Sequence, residues 1–185
     1  KAHAIIEIGM GTGVITKEIL RNCEISTQFI GIEVNKPMFD YVSNNFQSGI
    51  NPIFINDDIL NLNFILETDY IICSLPFRNF DMQKQNEIMD IIKSNLKNEG
   101  TFVLYQYTNH LDKLLGNYFK SVKKSVVLRN FPTAIVYVCG AMWNTKKNAM
   151  EGVACPTKIR ITSPAIAWNA ESKKQIKKSL DMKEA

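Results

Sequence analysis

The order of apolar and amphipathic segments predicts an α/β fold: a parallel, doubly wound sheet closed by an antiparallel pair of strands. Three observations carry this. Short apolar runs alternate with helix-period runs over most of the chain. A glycine-rich turn joins the first run to the first helix, and the last two β-branched runs follow one another with no helix between them.

Ala4–Ile8 reads as the first strand and Val14–Asn22 as the helix after it. Gln28–Glu33 is a second strand, followed by a helix over Pro37–Phe46 with Pro37 suited to its first position. Pro52–Ile55 is a short third strand, and Ile59–Leu66 one or two helical turns. Tyr70–Ser74 is the fourth strand; Met82–Leu96 is a helix with Ile88, Met89, Ile91, Ile92 and Leu96 as its apolar positions. Gly100 is expected to break the chain before a fifth strand, Thr101–Tyr107. A short helix near Leu111–Phe119 precedes Ser121–Leu128 and Ala134–Cys139, two strands separated by a turn that contains Pro132.

The chain of 185 residues has 45% apolar and 22% charged residues, which suits one domain with a sizeable core. No apolar run approaches the roughly 20 residues of a membrane span. Cys23, Cys73, Cys139 and Cys155 are scattered and contain no Cys-x-x-Cys pair, so a metal site is not expected, and reduced thiols in a cytoplasm are. Residues 141–185 carry nine Lys/Arg against four Asp/Glu, whereas residues 1–140 carry 13 against 14. The expected division is therefore a nearly neutral catalytic domain, 1–140, and a basic extension of unknown role, 141–185, in which Glu171–Glu184 has the pattern of a solvated helix. A basic working face, as a dedicated nucleic-acid enzyme would show, is not evident.

The chemistry-bearing stretch is Ile5–Leu20, with the spacing Glu7-x-Gly9-x-Gly11-x-Gly13 between strand and helix. Glycine permits positive φ and close backbone approach, and a helix start offers free N–H groups. The spacing is not the dinucleotide G-x-G-x-x-G, and an acid two residues ahead of the first glycine is a poor neighbour for a pyrophosphate. It suits a positively charged ligand. Here the sequence resembles the class I methyltransferases, Rossmann-like enzymes that use S-adenosylmethionine (SAM), whose sheet also ends in a hairpin. The resemblance covers roughly residues 4 to 140.

That resemblance implies SAM as cofactor, with Glu7, Gly9, Gly11 and Gly13 around its amino acid end. Glu33, closing the second strand in "GIEVN", would accept from both ribose hydroxyls. Asp58 in "INDDIL" resembles the acid that accepts from the adenine amino group, with Asp57 as the alternative.

After the fourth strand comes "CSLPFRNF". Ribosomal RNA adenine dimethyltransferases carry Asn-Leu-Pro-Tyr/Phe at this place. Here the loop is Ser74-Leu75-Pro76-Phe77, and a serine has no amide to make the combined contact with adenine. "SLPF" and "RNFPTAIVY", Arg129 to Tyr137, are similar instead to segments of bacterial phospholipid N-methyltransferases. The implied activity is methyl transfer to the amine of a phospholipid headgroup such as phosphatidylethanolamine, at the cytoplasmic face of the inner membrane. In that reading Ser74 and the backbone at Leu75 accept the amine hydrogens, Phe77 holds the developing ammonium with its ring face, and Tyr105, Tyr107 and Arg129 bind the headgroup. Two alternatives stay open. One is an RNA adenine N6-methyltransferase. The other is a SAM-binding protein without catalysis, because the chain opens directly on the first strand and a native N-terminal segment is expected to be missing.

Overall fold

The computed structural model describes residues 2–46, 49–62, 66–127 and 133–142, with only the backbone described at 141 and 142. Seven strands form one sheet in the order β3-β2-β1-β4-β5-β7-β6. They are β1 (Ala4–Ile8), β2 (Gln28–Ile32), β3 (Ile53–Ile55), β4 (Thr68–Cys73), β5 (Leu96–Gln106), β6 (Phe119–Val127) and β7 (Ala134–Met142). The first five are mutually parallel, and β7 runs antiparallel to both β5 and β6. The expected doubly wound sheet with a closing antiparallel pair is therefore present.

The helices are α1 (Val14–Asn22), α2 (Lys36–Asn45), α3 (Met82–Asn95) and α4 (Asp112–Tyr118). The central strands are buried on both faces, which is why β1 reads as a continuous apolar run rather than an alternating one. Ile6, Ile8, Ile30, Ile32 and Ile71 pack with Ile88, Met89 and Ile92 of α3 and Leu115 of α4. On the other face Ile5 and Phe29 pack with Ile19 and Leu20 of α1. α2 starts at Lys36 with Asn35 as its cap, the Asn35 side chain accepting from the Met38 amide, so Pro37 lies one place inside the helix. Among the described residues no helix is long and apolar enough to cross a membrane.

The fifth strand departs from expectation. It begins at Leu96, directly after α3, and Gly100 lies buried within it instead of breaking the chain before it. The pairing shifts register there: Thr68 faces Leu96, but Tyr70 faces Thr101. A bulge absorbs the intervening residues, and a Cβ at Gly100 would lie 2.7 Å from the Leu96 side chain.

One consequence of the order sets up the site. The chain turns in opposite directions after β1 and β4, and their ends are level, with Ile8 opposite Cys73. The glycine turn after β1 and the Ser74–Phe77 loop after β4 therefore leave the sheet side by side, at the switch point where such folds bind ligands.

Gly13 closes the glycine turn at φ +76°, where an added Cβ would come within 2.8 Å of the Phe46 ring and 3.0 Å of Val42. Gly11, at φ +55°, has open space around it. Gly13→Ala should thus lose about 2 kcal/mol or more and Gly11→Ala only about 1. Urea unfolding of the two variants checks the order; equal losses would mean that backbone conformation alone matters at both.

Candidate active site

Gly9, Gly11 and Gly13 all adopt positive φ, at 80°, 55° and 76°. The amides of these three glycines are engaged within the protein, ahead of the start of α1 at Val14. Gly9 donates to the Ile32 carbonyl at 2.9 Å, Gly11 to a Glu33 carboxylate oxygen at 2.7 Å and Gly13 to the Met10 carbonyl at 2.9 Å. Glycine amides spent in this way are not available to cradle a phosphate. What the turn offers is close approach: even a Cβ at Gly9 would lie 3.3 Å from the Leu75 side chain.

Glu33 is buried at the end of β2. Its second oxygen accepts from the Asn35 amide at 2.8 Å, while Asn56 donates to the Glu33 carbonyl at 2.7 Å. Each carboxylate oxygen thus holds one backbone N–H and keeps further acceptor capacity for a ligand. Glu33 lines a cavity of about 260 Å³ together with Ile8, Gly9, Val34, Asp57, Asp58 and Leu75. Both Asp57 and Asp58 border it, so the sequence alternative between them is not resolved by position. They differ in their partners. Asp58 caps the short 3-10 turn Ile59–Asn61 through the Leu60 amide and lies 3.4 Å from the Lys84 ammonium. Asp57 accepts from the Asn61 side chain.

Glu7 is fully buried; its carboxylate oxygens and the Thr16 hydroxyl make no hydrogen bond of ordinary geometry, although the Thr16 side chain and amide lie near enough to favour the charged form in part. Burial, opposed in part by the nearby Thr16 and reinforced by the Glu33 charge, pushes the Glu7 carboxyl up to about 8. A buried acid with only Thr16 near it is costly to ionise unless a cation completes it.

In the Ser74–Phe77 loop, the Ser74 amide donates to the Ile8 carbonyl at 2.9 Å, which ties the loop to β1. Ser74 Oγ is buried and meets no described hydrogen-bonding group. The Leu75 carbonyl, expected to accept amine hydrogens, already takes the Gln106 side-chain amide at 2.6 Å and the Phe77 amide at 2.9 Å. Those two donors fill its lone pairs. Pro76 borders the cavity, but Phe77 is 0% exposed within the main core, and its ring face is not presented to a ligand. The turn Phe77–Asn79 carries Phe77 inward and leaves Phe80 as the ring that lines the cavity, 6.1 Å from Phe77 in an edge-on pair.

Tyr105 and Tyr107 stack edge to face at 5.3 Å near the end of β5. Tyr107 is exposed, whereas Tyr105 lines a second, wholly apolar cavity of about 220 Å³ with Ile15, Ile72, Val103 and Val136. Arg129 lies outside the described residues. Sequence reading missed Gln106, Asn56, Phe80 and Lys84. Gln106 alone carried a signal, as a polar residue ending an apolar strand.

The residues present fit a SAM-like ligand on three observations: an orphaned acid at Glu7, glycines that permit close approach without offering phosphate donors, and the Glu33 carboxylate facing a cavity.

Comparisons with known proteins agree. Residues 5–100 match the family described as methyltransferase domain. An ornithine lipid N-methyltransferase of Singulisphaera acidiphila is 25% identical over 145 residues, 75% of this chain and 76% of that protein. The N-methyltransferase NodS of Bradyrhizobium japonicum, solved with S-adenosyl-L-homocysteine, superposes with a TM-score of 0.62 at 13% identity, covering 76% of this chain and 78% of that one. The CurJ carbon methyltransferase gives 0.61 at 17% identity over 76% of this chain, which spans about half (49%) of that chain's length. At such identities the two structures establish the fold alone.

The Glu7 carboxyl has a pH consequence. In the native state it keeps its proton up to about 8, whereas the unfolded chain releases it near 4.5. Stability of the ligand-free protein should therefore fall as pH rises from about 4.5 to about 8, with no further loss from this group above that. Urea unfolding at about pH 5 and pH 8 should show a smaller drop for Glu7→Gln than for the wild type; equal drops would remove Glu7 as the cause.

Proposed function

The chain belongs to the methyltransferase-domain family, its cofactor is SAM, and from that premise we propose that it methylates the amine of a phospholipid headgroup such as phosphatidylethanolamine. The observation that carries the reading is the Ser74-Leu75-Pro76-Phe77 loop, held beside the glycine turn with the Ser74 hydroxyl buried and unpartnered. The likeness to a lipid N-methyltransferase supports an amine on a membrane lipid; the choice of headgroup is our own.

Bound in the cavity, SAM supplies an electrophilic methyl group on a sulfonium. The residues around it bind and orient. Glu7 meets the cofactor's ammonium and is completed by it. Glu33 accepts from the ribose, Gly9, Gly11 and Gly13 let the backbone come close, and Asp58 accepts from the adenine amine. An attacking amine must be neutral and aligned with the departing sulfur, so most of the rate advantage is positional. Ser74 Oγ accepts one amine hydrogen, and Pro76 shapes the approach. Leu75 acts as a wall against Gly9, since its carbonyl is occupied. A cationic product next to an aromatic ring is stabilised; Phe80, rather than the buried Phe77, is the ring at the cavity, and it already carries the Lys84 ammonium 4.9 Å from its centroid. The proton of the amine leaves to water. Tyr105, Tyr107 and Arg129 are the proposed headgroup contacts.

We assign the methyl transfer to residues 1–140 and treat 141–185 as a basic extension; β7 itself runs two residues beyond that boundary, to Met142. The thiol of Cys73 is buried and reduced, in keeping with a protein of the cytoplasm acting at the inner membrane surface.

The test offers labelled SAM together with phosphatidylethanolamine vesicles or unmodified ribosomal RNA. Label is expected in the lipid. Label only in RNA would overturn the lipid reading in favour of an adenine N6-methyltransferase. Measurable SAM binding without transfer to either would favour a non-catalytic binder.

The cofactor contact has its own check. Glu33→Gln should weaken SAM binding by about tenfold or more, the loss of one charged hydrogen bond. Unchanged affinity by calorimetry would remove Glu33 from the ribose.

A further inference from the structure

Among the described residues nine large apolar side chains are conspicuously exposed, and seven of them lie at one end of the sheet. The carboxyl ends of β1 to β5 define that end, and β6 also finishes there, because Val126 and Val127 pair with Ile135 and Ala134 while Ile135 also pairs with Gln106. Val34, 61% exposed, lines the cavity itself. Val14 and Met82, 71% and 75% exposed, are the first residues of α1 and α3; Met38 sits in the first turn of α2. Tyr107, Val126 and Val127 complete the ring on the β5–β6 side. Only Ile25 and Tyr41 stand apart. Scattered exposed side chains need no explanation, but a collar around one pocket mouth does.

The charge at this rim is mixed. α1, α2 and α3 start here without an acid in the first turn, but the Asp81 carboxylate caps α3, and α4, which starts at the same end, opens on Asp112. Lys36 and Lys84 are paired with Asp40 and Asp58, which leaves Arg78, exposed on the turn after Pro76, as a cation without a partner among the described residues. Exposed apolar side chains beside an exposed arginine without a described partner are what an anionic lipid interface accepts.

We propose that this collar, Val14, Val34, Met38, Met82, Tyr107, Val126 and Val127 with Arg78, is the surface by which the protein docks on an anionic lipid bilayer. The inference rests on the lipid-amine reading and deepens it. A headgroup amine lies at the bilayer surface and leaves it only with its acyl chains, so the mouth of the pocket has to be brought to the interface. The collar lies on the end of the sheet where that pocket is built, with Val34 in both, and sinks by about a side chain's depth, with no helix inserted.

The experiment uses the full chain and the double variant Met38→Glu/Met82→Glu, with Ile25→Glu at the opposite end of the sheet as control. Glutamate in a first helical turn favours the helix, so these variants are expected to fold; thermal unfolding confirms it. On vesicles of phosphatidylethanolamine and phosphatidylglycerol, the double variant should bind at least about tenfold more weakly than wild type, and Ile25→Glu no more weakly. Transfer to vesicles should fall in step, whereas transfer to a water-soluble short-chain phosphatidylethanolamine should fall much less. Equal vesicle binding by the double variant and wild type would overturn the collar and leave the lipid reading intact. Absence of vesicle binding by wild type would also overturn it, as would a dimer that the double variant dissociates, which would make the face a protein contact. Failure of wild type on the soluble lipid as well, with vesicle binding still lost in the double variant, would sink the acceptor assignment and keep the docking surface.

Discussion

The site depends on one hydrogen bond, from the Gly11 amide to the buried Glu33 carboxylate at 2.7 Å. It joins the turn after β1 to the end of β2 and satisfies a charge that burial would otherwise make costly. With Gly11 held there, the chain passes through three positive-φ glycines and enters α1 at Gly13, packed so closely on Phe46 that no side chain fits. The same carboxylate raises the proton affinity of Glu7. Geometry and electrostatics are thus set together: the acid that shapes the turn also helps keep its neighbour protonated until a cation arrives.

This arrangement explains why a glycine-rich turn at a switch point need not be a phosphate site. Phosphate-binding turns keep their amides pointed at the ligand. Here Gly9, Gly11 and Gly13 each spend theirs within the protein, and two acids rather than a lysine flank the turn. The polarity of the pocket is inverted relative to a dinucleotide site. A ligand with an ammonium, a sulfonium and ribose hydroxyls satisfies what the protein leaves open.

Much of this was legible in the sequence because it is local. β1 and α1 have the bounds that periodicity and the glycine turn predicted, and Glu33 follows from its place at a strand end. What was not legible depends on register and packing. Gly100 reads as a break, yet the bulge opposite Thr68 and Tyr70 lets a strand run through it. Phe77 reads as a ring beside the substrate, yet a single 3-10 turn buries it and brings Phe80 to the cavity instead. Gln106 is 31 residues from Leu75 in sequence, and only the pairing of β4 with β5 brings them together.

That last contact bears on acceptor choice. A loop of the Asn-Leu-Pro-aromatic kind offers a target amine a side-chain carbonyl at its first position. Ser74 offers only a hydroxyl, and Gln106 ties down the Leu75 carbonyl that might have substituted for it. The loop can therefore accept from an amine but cannot match the paired donor and acceptor of a purine edge, which demands two fixed groups in one plane. A flexible alkylamine places no such demand; it needs alignment with the methyl group and a surface that delivers it. On the docking proposed above, the rim supplies that surface. At the same end of the sheet α1 and α2 start with no acid in the first turn or at the cap, forgoing about 0.3–1 kcal/mol each, whereas α3 has the Asp81 carboxylate as its cap. Val14, Met38 and Met82 occupy those turns instead, which makes sense if what faces them is less polar than water and more negative than the protein.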